Sequence, residues 1–456
     1  MGLYRTGVGE MSGKRVTVIG AKRSGLAAAR LLRDVGARVF VSDAGSIDEE
    51  VLTELAALGF RTESGGHTPA ALECDLIVLS PGVPSQSSVV VEARRNGIPV
   101  ISEIELAYRH CAAPIVAITG SNGKTTTTSL AGHLVGGSGR RTWVAGNIGA
   151  PFSGVALDTK DGDAVVLEVS SFQLDHIERF RPRVSAILNI TPDHLDRYGG
   201  SFEAYAASKR RIYENQRDDD ALILNVDDEM LQPLVGPTTD RLRLHEISLD
   251  REVAQGGFLH HEVLVIRTEE GEMQLPVEEV PLKGRHNLYN TLAAAVAARI
   301  MEVRSDVIRE SMASFKGVPH RLEFVREHDG VRYYNDSKAT NVNAVWYALE
   351  SFTEPIVLIA GGRDKGNDYG PLRNLVRRRV RLLIAIGEGA PKLIDELGSE
   401  AGRAMEVGDL DTAVKTARVL AQEGDVVLLS PACASFDQFD NYEHRGDSFK
   451  RLVASL

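Results

Sequence analysis

The run Ile115–Thr119, the loop Gly120-Ser-Asn-Gly-Lys-Thr-Thr126 and the helix-forming stretch after it constrain this chain more than any other feature. A β-branched run that turns through two glycines into a helix defines a strand–loop–helix unit. The glycines let the backbone curl so that its N–H groups converge on an anion, and the helix adds the positive end of its dipole. Lys124 then reaches the terminal phosphates, and the Thr125 hydroxyl suits Mg2+. The common form of this loop has a glycine five residues before the second one; here that position is Ile118. The loop is therefore a shortened variant, which argues against ordinary GTPases and motor ATPases. A glycine-rich turn before a purely structural helix is the plain alternative.

The rest of the chain repeats the alternation. Val16–Ile19, Val39–Ser42, Leu76–Leu79, Ala164–Val169, Ser185–Ile190 and Ala221–Asn225 read as strands. So do Val331–Tyr334, Ile356–Ala360, Leu382–Ile386 and Val426–Leu429. Ala/Leu/Arg-rich segments between them predict helices, so the fold class is α/β with parallel layers. At 456 residues and roughly 150 per domain, about three domains are expected. Breaks near Cys111-Ala-Ala-Pro114 and Gly317-Val-Pro319 place them at 1–112, 113–317 and 318–456.

Charge excludes whole classes of function. With 52 Lys and Arg against 63 Asp and Glu the net charge is −11, which argues against a nucleic-acid partner or a membrane surface. The run Arg377-Arg-Arg-Val-Arg381 reads as a solvated helix end. No apolar run approaches the ~20 residues that cross a bilayer, and the N-terminus lacks a signal-peptide core. Gly2 with Thr6 fits the loose N-myristoylation pattern, which arises readily by chance. Cys74, Cys111 and Cys433 stand far apart, without the spacing of a zinc site or a disulfide scaffold, and fit a reducing cytosol. A cytoplasmic monomer acting on small molecules is the expectation.

Glu168 closes an apolar strand, where its carboxylate emerges at the sheet edge beside the phosphate loop and can supplement Mg2+ ligation. A solvated strand-end acid is the alternative. His194, in Asp193-His-Leu-Asp196, follows another strand at the same edge, where a lone histidine is usually structural. Phe202, Tyr205, Lys209 and Ile212 share helical spacing, which puts Lys209 on the apolar stripe. Such a lysine snorkels or, held in place, has a depressed pKa and reacts as a free amine. After the first strand, Gly20-Ala-Lys-Arg-Ser-Gly25 has the form of a dinucleotide-type turn with Lys22 where the middle glycine belongs.

Together these residues resemble the Mur ligases. The resemblance is carried by Gly120–Thr126, by Glu168 in Leu-Glu-Val-Ser-Ser-Phe-Gln-Leu and by His194 in Thr-Pro-Asp-His-Leu-Asp-Arg-Tyr. Lys209 in Ser-Lys-Arg-Arg-Ile-Tyr-Glu and the segment His286-Asn-Leu-Tyr-Asn290 extend it, and it runs from about Val16 to Arg451. It implies a Rossmann-like N-terminal domain for a UDP-substrate, a central P-loop ATPase-type parallel-sheet domain, and a Rossmann-like C-terminal domain for an amino acid. The activity it implies is ATP-dependent amino-acid ligation in peptidoglycan precursor synthesis, through an acyl phosphate, with ADP and phosphate as products.

The C-terminal motifs narrow the resemblance. Asn335-Asp-Ser-Lys-Ala-Thr-Asn341, Gly361-Gly-Arg-Asp-Lys-Gly366 and Ser430-Pro-Ala-Cys-Ala-Ser-Phe-Asp-Gln-Phe439 imply D-glutamate as the incoming amino acid and UDP-N-acetylmuramoyl-L-alanine as its acceptor. The Asp-Asn-Pro-Arg signature of the diaminopimelate-adding relatives is missing.

Roles follow from the resemblance residue by residue. Lys124 and the loop residues Gly120, Ser121, Asn122, Gly123, Thr125 and Thr126 would hold the ATP phosphates. Asn287 and Asn290 would contact the adenine side, and Arg321 and Asp336 would close the nucleotide site. Thr125 and Glu168 would serve one Mg2+, and His194 with a carbamylated Lys209 a second, so that Lys124, His194 and Lys209 form the catalytic set. UDP would lie against Ser24, Gly25, Asp43, Ser80 and Gly82, with Lys22 or Arg23 compensating by charge for the lost glycine. Asn147 would meet the nascent peptide substrate.

Thr340, ahead of a helix expected over Asn341–Ser351, and Ser435, ahead of one expected from Phe436, offer hydroxyls and amides suited to the carboxylates of D-glutamate. Lys365 would supply positive charge, and Phe436 and Tyr442 would line the pocket. Both hydroxyls can also be plain helix caps.

Rival readings remain at this level. A nicotinamide-dependent oxidoreductase fits Gly20–Gly25 and Asp43 but leaves Gly120–Thr126 unexplained. A non-catalytic nucleotide sensor predicts binding without substrate-dependent phosphate release. A ligase similar to folylpolyglutamate synthetases would take L-glutamate instead.

Overall fold

The computed structural model describes residues 9–234, 239, 241–282 and 284–456, so the Gly2–Thr6 pattern lies outside the described residues. The chain divides into two compact units, Met1–Val280 with Leu288–Phe315 and Pro281–Asn287 with Lys316–Leu456. No helix among the described residues is long and apolar enough to cross a membrane.

In the first unit, β1 (Arg15–Ile19), β2 (Arg38–Asp43), β3 (Arg61–Ser64), β4 (Leu76–Leu79) and β5 (Val100–Ser102) form a parallel sheet in the order β3-β2-β1-β4-β5. The same unit carries a larger sheet. Its strands are β6 (Ile115–Thr119), β7 (Thr142–Gly146), β8 (Ala164–Glu168), β9 (Val184–Ile187), β10 (Ala221–Asn225), β11 (Arg243–Ser248), β12 (Gly256–His260), β13 (Val263–Thr268) and β14 (Gly271–Pro276). Their order is β14-β13-β12-β11-β10-β9-β6-β8-β7. The central strands β6, β8, β9 and β10 are buried along their whole length, as parallel strands covered on both faces must be.

At the far edge β13 and β14 pair antiparallel, which the sequence does not signal. Their connection is Glu269-Glu270, not the Asn-Gly or Asp-Gly pair that marks a tight hairpin.

The second unit holds β15 (Glu323–His328), β16 (Val331–Asn335), β17 (Ile356–Gly361), β18 (Val380–Ile386), β19 (Ala404–Glu406) and β20 (Val426–Leu429). Their order is β15-β16-β20-β17-β18-β19, with β15 antiparallel to β16 and the rest parallel.

Two helix starts differ from the sequence reading. The helix after Thr340 runs Val342–Glu350 and is capped by Asn341, whose Oδ1 accepts from Ala344 N at 2.8 Å. Thr340 therefore stands one residue outside the cap, because Asn competes better for that position than Thr. After Ser435 only an isolated turn forms, with Phe439 N donating to Ser435 O at 2.9 Å. The helix begins at Tyr442 under an Asn441 cap that accepts from His444 N at 2.7 Å. Asp437, Asp440 and Asn441 favour turns and caps over a helix interior, so Ser435 is not an N-cap.

Between the two sheets of the first unit lies the wholly buried helix Glu103–His110. Glu105 Oε2 accepts the N–H groups of Glu178, Arg179 and Phe180 at 2.8–2.9 Å, and Oε1 accepts from Arg109 Nε at 2.8 Å. This buried carboxylate is fully satisfied. Glu103 is not: Oε1 accepts from Ser153 N at 2.6 Å, while Oε2 is buried with no partner among the described residues. Burial pushes the Glu103 carboxyl up to about 7 from an ordinary 4.5.

Because the folded value lies above the unfolded one, the stability Glu103 contributes is complete below pH 4.5 and is lost as the pH rises through about 7. Glu103→Gln should flatten that part of the stability curve. Unfolding midpoints measured across this interval check it, and a slope equal to the parent's refutes it.

Candidate active site

The order β9-β6-β8-β7 brings four strand ends together, and the glycine-rich loop, Glu168 and Asn147 lie at three of them. The loop leaves β6 and enters the helix Lys124–Gly137 through Gly123, whose φ of +83° belongs to the left-handed region. A Cβ on Gly123 would lie 2.3 Å from Asn290 Oδ1, which already accepts from Thr127 Oγ1 at 3.1 Å. Gly123 is thus required twice over, by conformation and by space.

The loop is braced from β9. Asn122 N donates to Asn189 Oδ1 at 2.8 Å, and Asn189 Nδ2 returns a bond to Asn122 O at 3.1 Å. Ser121 Oγ donates to Thr191 O at 2.8 Å, accepts from Thr191 N at 2.9 Å and lies 2.9 Å from Tyr205 Oη. Sequence reasoning missed Asn189, Thr191 and Tyr205 as loop supports, since their partners lie dozens of residues away.

Two lysines converge on one carbonyl. Lys124 Nζ donates to Gly120 O at 2.8 Å and Ser121 O at 2.9 Å; Lys209 Nζ donates to the same Gly120 O at 2.7 Å. Lys209 is buried on the helix Phe202–Arg210, with its amine 4.7 Å from the Tyr205 ring centroid. Burial, and then the Lys124 charge, holds the Lys209 amine well below the usual lysine range. Lys209 lies on the apolar side of its helix, as the spacing predicts, and its head group does not snorkel to water.

Glu168, at the end of β8, is buried. Its Oε1 accepts from Asn147 Nδ2 at 2.7 Å, and its Oε2 has no partner among the described residues. An orphaned buried carboxylate oxygen beside a phosphate loop fits a hard divalent cation. Asn147, following β7, is tied to Glu168 by its backbone as well, with N donating to Glu168 O at 2.9 Å. His194 has a φ of +51°, and its side chain is half-exposed. Its ring centroid lies 5.2 Å from that of Phe172. Burial lowers its pKa, with Lys124 and Lys209 adding to the shift against Asp193.

A cavity of about 510 Å3 opens beside these residues. Ser24, Asp43, Ser80, Gly82 and Asn147 line it, joined by Lys22 and Arg23. Asp43 spends its carboxylate on the loop itself, accepting from Ala21 N at 2.7 Å and Gly45 N at 2.9 Å. Arg23 Nη2 donates to Gly149 O at 2.6 Å, which closes the cavity wall toward Asn147. Arg197 donates to the carbonyls of Pro81, Gly82 and Val83 at 3.0–3.4 Å while its guanidinium lies 4.4 Å from the Phe172 ring centroid. It therefore ties the His194 loop to the Ser80–Val83 turn, a link that no local pattern signals.

In the second unit the loops after β16, β20 and β17 leave neighbouring strand ends. Thr340 follows the first, Ser435 the second and Lys365 the third. Ala432 N donates to Ala339 O at 2.9 Å, and Arg363 and Ala434 exchange both backbone bonds. Buried Arg445 staples all three loops through Ser337 O, Cys433 O and Gly361 O at 2.9–3.5 Å. Burial brings its pKa down to about 10. This residue too escaped the sequence reading.

Lys365 and Phe436 are exposed, and the Tyr442 ring lies 5.3 Å from Lys338 Nζ. Asp336 is buried, accepting from Leu322 N at 3.2 Å and Ser430 Oγ at 2.8 Å, and burial pushes it up to about 7 against the pull of Arg321. Arg321 Nε is buried with no partner among the described residues. His286, whose ring centroid lies 5.0 Å from that of Tyr347, is lowered to about 4, first by burial and then by Arg321. Asn287 falls in this unit and Asn290 in the other.

Three family profiles match: the MurD N-terminal domain over residues 15–89, the Mur ligase middle domain over 118–298, and the Mur ligase glutamate ligase domain over 320–433. A UDP-N-acetylmuramoylalanine--D-glutamate ligase of Salinibacter ruber is 53% identical over 98% of this chain and 99% of its own. One from Acidobacterium capsulatum is 48% identical over 97% of each. Among solved structures, the UDP-N-acetylmuramate-alanine ligase MurC of Thermotoga maritima aligns with a TM-score of 0.61 at 19% identity, covering 97% of this chain and 100% of that one. FolC of E. coli, in complex with DHPP and ADP, aligns with a TM-score of 0.57 at 18% identity, covering 76% and 90%.

Proposed function

The chain belongs to the Mur ligases, and from that premise we propose how its own residues perform the reaction. It is an ATP-dependent ligase that joins D-glutamate to UDP-N-acetylmuramoyl-L-alanine in peptidoglycan synthesis. The oxidoreductase and sensor readings fall with that assignment.

In our reading, residues 1–112 hold the UDP-substrate, 113–317 the ATP and 318–456 the amino acid. The observation that carries the central assignment is the convergence of Lys124 and Lys209 on Gly120 O beside the unpartnered oxygen of Glu168. Lys124 leaves those carbonyls for the phosphates of ATP, which the amides of Gly120–Thr126 cradle. Asn290, which accepts from Thr127, and Asn287 would contact the adenine, and Arg321 and Asp336 would contribute to nucleotide binding. Thr125 and Glu168 would hold one Mg2+, and His194 with Lys209 a second. The bound cations would neutralise phosphate charge during transfer.

Lys209 serves that role as a carbamate. Its lowered pKa favours the neutral amine, whose nitrogen adds to CO2 with loss of one proton. The product keeps an N–H for Gly120 O and puts a negative charge where a neutral amine stood, near the cationic Lys124.

The L-alanyl carboxylate then attacks the γ-phosphorus, ADP leaves, and Lys124 offsets the charge on the transferred group. The amine of D-glutamate attacks the acyl carbon, phosphate leaves and the ammonium proton is released. Ser24, Gly25, Asp43, Ser80 and Gly82 hold the UDP moiety, with Lys22 adding positive charge at the cavity wall. Asn147, oriented by Glu168, meets the acyl group. Thr340, Ser435, Lys365, Phe436 and Tyr442 receive D-glutamate. A monomer working in the cytoplasm completes the reading.

One phosphate-release assay tests it. ADP and phosphate should form only when UDP-N-acetylmuramoyl-L-alanine and D-glutamate are both present. Equal use of L-glutamate, or AMP and pyrophosphate as products, would overturn it.

A further inference from the structure

The loop that carries Lys365 contains an aspartate next to it, and the fate of that aspartate has a consequence for an anionic substrate. Asp364 Oδ2 accepts from Gly366 N at 3.1 Å and from Lys392 Nζ at 3.2 Å. Oδ1 accepts from Asn367 N at 3.3 Å and from Tyr369 Oη at 3.0 Å. Each oxygen thus takes one backbone amide, which closes the turn around Lys365, and one side-chain donor from outside the turn. Lys392, on the helix Ala390–Leu397, also donates to Asn367 O. Asn367 Nδ2 reaches Ala432 O at 3.2 Å, which fastens the turn to the loop bearing Ser435. Tyr369 is buried, and its hydroxyl also touches Cys433 Sγ at 3.2 Å.

Lys365 itself is exposed and makes no hydrogen bond or ion pair with the described residues. An adjacent free carboxylate would either capture that ammonium or repel the carboxylates of an incoming dicarboxylate. Because Asp364 is neutralised from behind by Lys392, it can shape the turn without doing either.

We propose that Lys392 is a positioning residue of the amino-acid site, which pairs with Asp364 so that Lys365 is presented, uncompensated, to a carboxylate of D-glutamate. The inference rests on the reading of Lys365 as a D-glutamate contact.

The test is steady-state kinetics with each substrate varied in turn. Lys392→Met should raise the KM for D-glutamate about tenfold, with kcat within about twofold of the parent and unchanged KM values for ATP and the UDP-substrate. Lys392→Arg should restore the parent KM. The double variant Asp364→Asn with Lys392→Met should recover part of the loss, since the unpaired anion is gone while one oxygen still accepts from the turn; a merely structural defect would deepen instead. Lys365→Ala serves as the control and should raise the same KM by itself. If Lys365→Ala leaves that KM unchanged, the reading of the site fails. If Lys365→Ala raises it while Lys392→Met does not, or if the double variant is no better than Lys392→Met, the role of Lys392 is refuted.

Discussion

Lys209→Ala is expected to lower kcat for phosphate release about a thousandfold or more, the scale seen when a preorganised charge-stabilising group is removed from a transition state. The variant should still fold, because the lost amine contributes one bond to Gly120 O and is otherwise a buried group with a strongly depressed pKa. Formate or acetate should restore part of the activity by placing a free carboxylate where the proposed carbamate would stand. Lys209→Arg should not be rescued, since guanidinium stays charged and does not add CO2. Incorporation of labelled bicarbonate into the parent protein, followed by carbon NMR, gives an independent readout. Full activity of Lys209→Ala would end the carbamate reading.

Gly25→Ala is expected to act on the other substrate. A methyl at Gly25 would stand 1.7 Å from Gly20 O and 2.8 Å from Ser80 Oγ. Neither can yield freely: Gly20 N is bonded to Ser42 O at 2.8 Å, and Ser80 Oγ donates to Gly20 O at 2.9 Å. Forcing them apart displaces the turn that lines the cavity, at a cost in the overpacking range of about 1–3 kcal/mol. The KM for UDP-N-acetylmuramoyl-L-alanine should rise roughly thirtyfold, since each 1.4 kcal/mol is about tenfold. The affinity for ADP, measured calorimetrically, should stay at the parent value. A parent-like KM would show that the turn is not part of the UDP site.

Much of the central site is legible from residues close in sequence. The loop Gly120–Thr126 announces itself because strand, glycines and helix are contiguous, and Glu168 is visible because an acid ends an unbroken apolar run. Lys209 is visible because its helical stripe is otherwise apolar. The supports are not legible. Asn189 holds Asn122 across 67 residues, Arg197 reaches Gly82 across 115, and Arg445 reaches Ser337 across 108. Nothing in their own neighbourhoods distinguishes them from other polar residues after a strand or on a helix. The helix expected from Phe436 failed for a related reason, since the caps and turn formers downstream of Ser435 outweighed its helix-entry signal.

The same distinction divides the whole protein. Local sequence determined the elements and their chemistry: glycine-rich turns, buried strands, a lysine forced out of water, and a net charge of −11 that leaves positive charge to individual sites. Tertiary structure alone decided which strand ends are neighbours. The order β9-β6-β8-β7 puts Asn189, Gly120, Glu168 and Asn147 side by side, and β16-β20-β17 does the same for Thr340, Ser435 and Lys365. Strand order depends on how helices pack across the sheets, a long-range balance of burial that no local propensity encodes. That balance also decides which interior carboxylates keep one oxygen without a partner among the described residues, as Glu168 and Glu103 do, and which are neutralised, as Asp364 is by Lys392.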